Sequence, residues 1–202
     1  MNQGHKLISL PTKEPVEARL SDRSDDELML LSRSGADRAF EELVRRHQRR
    51  VLRVAAKYCG SAAVGADVAQ NAFLELYRAV PGYRPRERFS SFLLQIVLNQ
   101  CRMAQRSSTR RDRYVNELAL EPTGDAGPPP DSLLLQAERR REVEAALSHL
   151  SPKLRDVVVL RFAADLSYQE IAETLDLPLG TVKSRLFAGL KDLHDLLRGE
   201  GR

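Results

Sequence analysis

The chain of 202 residues lacks the residue patterns that mark most enzymes. Its four histidines show no metal-binding spacing, and no Gly-x-x-x-x-Gly-Lys phosphate loop occurs. It has no tryptophan and only two cysteines. We interpret Cys59 and Cys101 as small buried side chains of a protein from a reducing compartment, with a disulfide or a catalytic thiol as the alternatives. We therefore expect no enzyme, no bound metal and no cofactor.

Long apolar segments are also missing. No run approaches the roughly 18–20 apolar residues that a membrane-spanning helix needs, and the N-terminus lacks the apolar centre of a signal peptide. The sequence thus predicts a cytoplasmic protein that does not insert in a membrane. Charge is abundant instead: 30% of the residues are charged and the net charge is +4, which indicates an anionic partner if the positive charges cluster.

Helical patterns fill the first part of the chain after a polar, loose tail over residues 1–23. A Ser-x-x-Glu capping box from Ser24 to Glu27 predicts the start of a short helix. Three further helices are predicted, over residues 36–58, over 66–79, and from 89 to 106 or a little beyond. The first of these three carries a basic face, which we interpret as solvated, with a functional surface as the alternative: Arg45, Arg46, Arg49, Arg50 and Arg53.

A Pro-rich segment divides the chain. Residues 121–130 contain four prolines and two glycines, a composition that excludes helix and sheet and predicts an extended linker. We predict the full linker over residues 109–131. The predicted fold class is therefore all-α, with two small helical domains, 24–108 and 132–202, joined by a flexible Pro-rich linker.

The C-terminal domain contains two short helices separated by a tight turn. The first begins at a second capping box, Ser167 to Glu170, and ends before Pro178. The first of these helices is acidic and the second is basic. This order is the one expected of a helix-turn-helix whose second helix enters the DNA major groove. The alternative is a helical hairpin that binds nothing. Four polar residues lie off the apolar stripe of the basic helix: Thr181, Lys183, Ser184 and Arg185.

A second cluster of positive charge lies near the end of the N-terminal domain. Five arginines and one acidic residue occupy positions 102–113, and the loop before this helix carries Arg84, Arg86 and Arg88. Such a run is equally compatible with a solvated surface and with binding to a phosphate backbone.

Several strings resemble conserved regions of bacterial sigma factors of the extracytoplasmic-function subgroup. Residues Leu166-Ser-Tyr-Gln-Glu-Ile-Ala172 and Gly180-Thr-Val-Lys-Ser-Arg185 resemble the fourth conserved region. In the N-terminal domain, Asp67-Val-Ala-Gln70 is similar to the second region, and residues 89–106 are similar to its promoter-melting helix. The resemblance extends over about residues 24–197.

The resemblance implies a transcription initiation factor that binds core RNA polymerase, directs it to specific promoters and helps to open the duplex. It implies contacts to the −35 element from Thr181, Lys183, Ser184 and Arg185. It implies contacts to the −10 element from Arg88, Asn99, Arg102 and Arg106. It implies a polymerase-binding surface at Asp67, Gln70, Asn71 and Glu75. It also implies an anti-sigma factor partner, which in this family is often anchored in a membrane.

The alternative function is a stand-alone transcriptional regulator that uses the same helix-turn-helix. Such a regulator would need a receiver or ligand-binding domain. Residues 24–107 lack the strand–helix alternation of a receiver domain, so the sequence favours the initiation factor.

Overall fold

The computed structural model describes residues 20–86, 88–115 and 131–199. Over these residues the chain is helical and contains no strand, which confirms the all-α fold class. In the N-terminal half (residues 20–115) the helices are α1 Asp25–Arg33, α2 Asp37–Cys59, α3 Ala62–Ala79 and α4 Phe89–Val115. In the C-terminal half (residues 131–199) they are α5 Asp131–His149, α6 Pro152–Phe162, α7 Tyr168–Leu175 and α8 Leu179–Leu197.

The domain boundaries remain a prediction, because residues 116–130 lie outside the described part. Helix α4 continues to Val115, inside the stretch that the sequence assigned to the linker. The arginine-rich composition of residues 102–113 is compatible with helix, since arginine has a high helix propensity. The predicted tail over residues 1–19 also lies outside the described residues.

Both predicted capping boxes are present. The hydroxyl of Ser24 accepts a hydrogen bond from the Glu27 amide, and the Glu27 carboxylate accepts one from the Ser24 amide at 2.8 Å. Ser167 and Glu170 form the same reciprocal pair at the start of α7. At the start of α6, the pair Ser151-Pro152 predicts a capping serine followed by a proline in the first turn; Pro152 lies there, but the Ser151 side chain makes no capping bond. Proline at this position already removes one of the amides that need a cap.

One arginine of α2 is hydrogen-bonded to residues at and just before the N-terminus of α1. Arg46 donates to the carboxylate of Asp25 at 2.9 Å and to that of Glu42 at 2.8 Å. It also donates to the backbone carbonyl oxygens of Leu20, Ser21 and Arg23 at 2.7–2.9 Å. Five hydrogen bonds from one guanidinium show that the solvated interpretation of this helix face was wrong for Arg46.

Two glycines permit close helix packing. A Cβ atom at Gly65 of α3 would lie 2.6 Å from the backbone of Ala56 in α2, and one at Gly189 of α8 would lie 2.8 Å from Val158 in α6. At Gly65 the contact is with backbone atoms, so a larger side chain would require α2 and α3 to move apart, whereas at Gly189 the Val158 side chain or its helix would have to shift.

The helical period of the sequence predicts inward positions for Phe162 on α6 and for Val182, Leu186 and Leu190 on α8, and two of these four residues are exposed. Phe162 is 59% exposed at the end of α6, and Leu190 is 42% exposed on α8. On α8 it is Gly189 that faces α6. Leu190, the next residue, lies about 100° further around the helix axis and therefore points away from α6. Val182 and Leu186, assigned to the core with Leu190, are buried as predicted.

The two halves pack against each other. Helix α2 contacts α5 and α6, and α4 contacts α7. Lys57 of α2 forms an ion pair with Glu144 of α5 at 2.8 Å. The side-chain amide of Gln95 in α4 donates to the carbonyl oxygen of Thr174 in α7 at 2.7 Å, and the buried Thr174 hydroxyl donates to Ser91 at 3.2 Å.

Candidate nucleic-acid interface

The helix-turn-helix is built as the sequence predicts. Helix α7 ends at Leu175, and Asp176 then adopts a left-handed conformation with φ +51°. This lets the Leu177 amide donate to the carbonyl oxygen of Ala172 at 2.9 Å. Ile171 of α7 and Val182 of α8 are fully buried and hold the two helices together. The turn therefore fixes the direction in which α8 leaves it.

The four predicted residues of α8 lie on its accessible side. Lys183 and Ser184 are exposed, while Thr181 and Arg185 are half-buried. The Ser184 hydroxyl donates to the carbonyl oxygen of Thr181 at 3.0 Å. Within the described residues, neither Lys183 nor Arg185 forms an ion pair with a carboxylate. The basic surface of α8 therefore presents its positive charge to a partner.

The second basic surface lies on α4 and the loop before it. Asn99 is exposed, and its side-chain oxygen accepts a hydrogen bond from Arg102 at 2.7 Å. Arg106 is exposed one turn further along and lines the same small opening as Arg102. Arg88 lies apart from them, in a larger cleft. The structure thus brings three of the four predicted −10 residues together and places Arg88 elsewhere.

The C-terminal half reaches this second surface. A nearly buried carboxylate of α6, Asp156, accepts a hydrogen bond from Arg102 at 2.6 Å and another from the Tyr58 hydroxyl at 3.1 Å. Burial works against a charge on Arg102, but the hydrogen bond and the charge of Asp156 raise its pKa above the usual value. Burial and the Asp156 charge raise the pKa of Tyr58, so its hydroxyl stays protonated and donates. Arg102 is therefore fully charged and held by the other half.

The acidic helix of the helix-turn-helix faces arginines of the N-terminal half. A cleft of about 760 Å³ brings Glu173 and Asp176 together with the arginines of the loop before α4: Arg84, Arg86 and Arg88. On α2, Arg50 donates to the carbonyl oxygen of Ala164 at 3.1 Å, and Arg53 pairs with Asp165 at 2.7 Å. The acidic residues that precede α8 thus lie against the N-terminal half, which carries the predicted −10 surface.

Sequence reasoning missed this contact. Arg50 and Arg53 belong to the face that we had interpreted as solvated. The sequence does hold one signal for this contact: the arginines on α2 and the acidic residues from 165 to 176 have opposite charges. The residue spacing, however, does not show that two segments more than a hundred positions apart meet.

The predicted polymerase-binding residues lie together on α3. Asp67, Gln70 and Asn71 are exposed, and the half-buried Glu75 pairs with Arg78 at 2.5 Å. Spacings of three, four and eight residues put all four on one face of the helix.

Exposed apolar side chains accompany two of these surfaces. Leu74 and Tyr77 are about half exposed on α3, next to the predicted polymerase-binding residues. On α8, Phe187 is 76% exposed, and Leu190 and Leu197 are also exposed. Large apolar side chains exposed in groups are typical of protein-binding surfaces. Phe187 could have been noticed in the sequence, because it lies off the apolar stripe of α8.

Each half of the chain matches a known protein family. The family described as Sigma-70 region 2 matches residues 43–111, and the family described as Sigma-70, region 4 matches residues 140–193. The chain is 33% identical to the ECF RNA polymerase sigma-E factor of Escherichia coli over 171 residues, which cover 81% of this chain and 89% of that protein. It is 31% identical to the ECF RNA polymerase sigma factor SigE of Mycolicibacterium smegmatis over 189 residues, covering 93% of this chain and 70% of that protein.

Solved structures share the fold. CnrH, in complex with the cytosolic domain of CnrY, aligns with a TM-score of 0.61 and 24% identity over 88% of this chain and 99% of that chain. The sigma factor RpoE of Bartonella quintana, in complex with the anti-sigma factor NepR, aligns with a TM-score of 0.56 and 20% identity, covering 78% of this chain and 98% of that chain.

The chain belongs to the family of extracytoplasmic-function RNA polymerase sigma factors. It is a transcription initiation factor that acts with RNA polymerase at specific promoters. No helix in the described part of the chain is long and apolar enough to cross a membrane.

Proposed function

We propose that this sigma factor recognises promoters through two surfaces, one on each predicted domain, 24–108 and 132–202. The basic surface of α8 binds the −35 element in the major groove. Its short donors, Thr181 and Ser184, suit phosphates or base edges, and Arg185 suits bidentate contact with guanine. The observation that carries this assignment is the orientation of α8: Val182 and Leu186 are buried, so the four polar residues are left for DNA.

The −10 element is bound as a single strand by the surface around Asn99. Reading a base from one strand requires that the base leave the stack, and a basic surface must then hold the sugar–phosphate backbone. Asn99 has the donor and acceptor groups for a base edge, while Arg102 and Arg106 provide the positive charge. Arg88, before the helix, binds the backbone further along the strand.

The exposed face of α3 binds core polymerase through Asp67, Gln70, Asn71 and Glu75. Exposed Leu74 and Tyr77 next to them supply apolar contact area. Because polymerase and promoter DNA are in the cytoplasm, we assign the protein to that compartment.

An anti-sigma factor is the second protein partner. The aligned CnrH and RpoE chains are each in complex with another protein, CnrY and the anti-sigma factor NepR respectively. On this chain the exposed apolar residues of α3 and α8 are the surfaces suited to such a partner: Leu74, Tyr77, Phe187, Leu190 and Leu197.

Selection from a random DNA pool with purified core polymerase tests the proposal. The chain with polymerase should enrich DNA with two conserved elements, and a variant ending near Asp131 should still bind polymerase but lose the upstream element. If the purified chain binds no core polymerase, the polymerase surface is wrong. If the shortened variant retains the upstream element, the assignment of the −35 element to α8 is wrong.

A further inference from the structure

The loop between α3 and α4 carries the arginines that precede the −10 surface. It begins with a single 3-10 turn, Val80–Gly82, and residues 83–86 are in neither a helix nor a strand. Arg84, Arg86 and Arg88 are exposed and line the cleft of about 760 Å³ between the halves. Because a loop has few backbone hydrogen bonds of its own, other contacts must hold these arginines in place.

Tyr83 makes the contacts that hold this loop. Its side chain is buried, and its ring packs against the rings of Phe92 and Phe89 of α4, with centroids 5.4 Å and 6.3 Å away. The Tyr83 hydroxyl donates a hydrogen bond to the carboxylate of Asp26 in α1. Its backbone carbonyl oxygen accepts one from Arg33, at the end of α1, at 3.4 Å. Helix α1 therefore holds both the side chain and the backbone of Tyr83.

The partner of the Tyr83 hydroxyl is itself fixed in place. The neighbouring residue, Asp25, is hydrogen-bonded to Arg46 of α2 at 2.9 Å and to His47 of α2 at 2.7 Å. Burial and the hydrogen bond to the charged Asp26 raise the pKa of Tyr83, so its hydroxyl stays protonated and donates. A continuous set of contacts thus runs from α2 through the start of α1 to the loop.

We propose that Tyr83 and Asp26 are positioning residues for recognition of the −10 element. Their hydrogen bond holds the loop in the conformation that presents Arg88 to the DNA strand. Helix α1 thereby takes part in promoter recognition without contacting DNA. Because Arg88 is proposed to contact the −10 strand, this role rests on that proposed function. A loop that is already in its binding conformation loses less conformational freedom when DNA binds.

Binding of a labelled −10 oligonucleotide to the complex of the full chain with core polymerase tests this role. The single strand carries the −10 sequence from the random-pool selection. Tyr83→Phe keeps the ring contacts but removes the hydroxyl. It should weaken binding about fivefold, because the loop would hold its binding conformation only about a fifth of the time. Asp26→Ala should weaken binding as much, whereas Asp26→Asn, which retains an oxygen acceptor, should stay within about twofold of the unmodified chain.

The Arg88→Ala background separates positioning from general stability. If Tyr83 acts through the loop, Tyr83→Phe should weaken binding by less than about twofold once residue 88 is alanine, because coupled residues do not add. Selection of the −35 element and affinity for polymerase should not change in Tyr83→Phe. Arg23→Ala is the control on the same helix: it removes an exposed ion pair with Glu27 at 3.0 Å and should leave oligonucleotide binding unchanged. Circular dichroism establishes that each variant is folded.

The outcomes separate the positioning role from the proposed DNA contact. Unchanged oligonucleotide affinity in Tyr83→Phe, while Arg88→Ala weakens binding, overturns the positioning role and leaves the proposed function intact. Equal losses from Tyr83→Phe with and without Arg88 also overturn it, since they show a general effect on stability. If Arg88→Ala itself leaves the affinity unchanged, the proposed contact is wrong and the positioning role falls with it.

Discussion

The two basic surfaces of this sigma factor differ in what holds their charges. On α8, Lys183 and Arg185 form no ion pair within the described residues, so their charges are available for the −35 contact that we propose. On α4, Arg102 is hydrogen-bonded to Asp156 of the other half at 2.6 Å, and the loop before this helix faces Glu173 of α7 and Asp176 just after α7. A cluster of positive charge in a sequence is therefore not by itself an available binding surface.

This difference has a consequence for promoter binding. The hydrogen bond to Asp156 competes with the DNA contact that we propose for Arg102. Two further contacts, Gln95 to Thr174 and Arg50 to Ala164, hold the halves in the same arrangement. We therefore expect the −35 surface to be available in the free protein and the −10 surface to become available when the halves separate.

The largest effect is expected at the available surface. Arg185→Ala should cost about 1–3 kcal/mol of discrimination between the selected −35 element and a mutated one, because a bidentate contact to a base is lost. Competition binding with polymerase present measures this difference. Arg198→Ala, an exposed arginine just after α8, is the matched control. Equal loss on all DNA sequences would show that Arg185 contacts phosphate rather than a base.

A smaller effect is expected where an arginine has a purely structural role. Arg46→Ala should lower the free energy of unfolding by about 1–2 kcal/mol, because three backbone carbonyl oxygens and two carboxylates lose a donor. Urea denaturation followed by circular dichroism measures it.

Arg45→Ala is the control for that experiment. Arg45 pairs with the same carboxylate, Glu42, at 2.7 Å, but its side chain is largely exposed. Exposed ion pairs contribute little, so its removal should leave the urea midpoint nearly unchanged. Equal losses for Arg45 and Arg46 would mean that burial of the Arg46 hydrogen bonds does not matter.

A still smaller effect is expected for the contact between the halves. Arg50→Ala removes the hydrogen bond to the Ala164 carbonyl oxygen, which crosses between the halves, and should weaken the docking of the C-terminal half by about 0.5–1 kcal/mol. Amide hydrogen exchange in α7 should become faster. Arg49→Ala, which replaces the neighbouring exposed arginine, should leave the exchange rate in α7 unchanged. Unchanged exchange in both variants would argue against docking through α2.

Local features of the fold follow from the sequence because short-range chemistry determines them. The capping boxes at Ser24 and Ser167 join residues three positions apart, and Pro178 restricts the residue before it. The exposed positions on α3 and α8 follow from the helical period in the same way. All of these depend on neighbours along the chain.

Contacts between remote segments do not follow from such patterns. Arg46 and Arg49 lie in the same basic run, yet one is held by five hydrogen bonds and the other is exposed. Leu190 continues an apolar stripe but is displaced from the core because the small Gly189 allows α6 to approach. Only the three-dimensional packing distinguishes these cases.

Binding of a single-stranded −10 oligonucleotide to Asp156→Asn tests the central claim most directly. The substitution keeps the shape of the side chain but removes the charge that holds Arg102. The oligonucleotide would carry the −10 sequence from the random-pool selection, and Glu144→Gln would serve as a control that breaks a different contact between the halves. If the halves compete with DNA for Arg102, Asp156→Asn binds about threefold more tightly than the unmodified chain, the gain expected from about 0.6 kcal/mol. Equal binding by the two proteins at the same salt concentration would contradict the account.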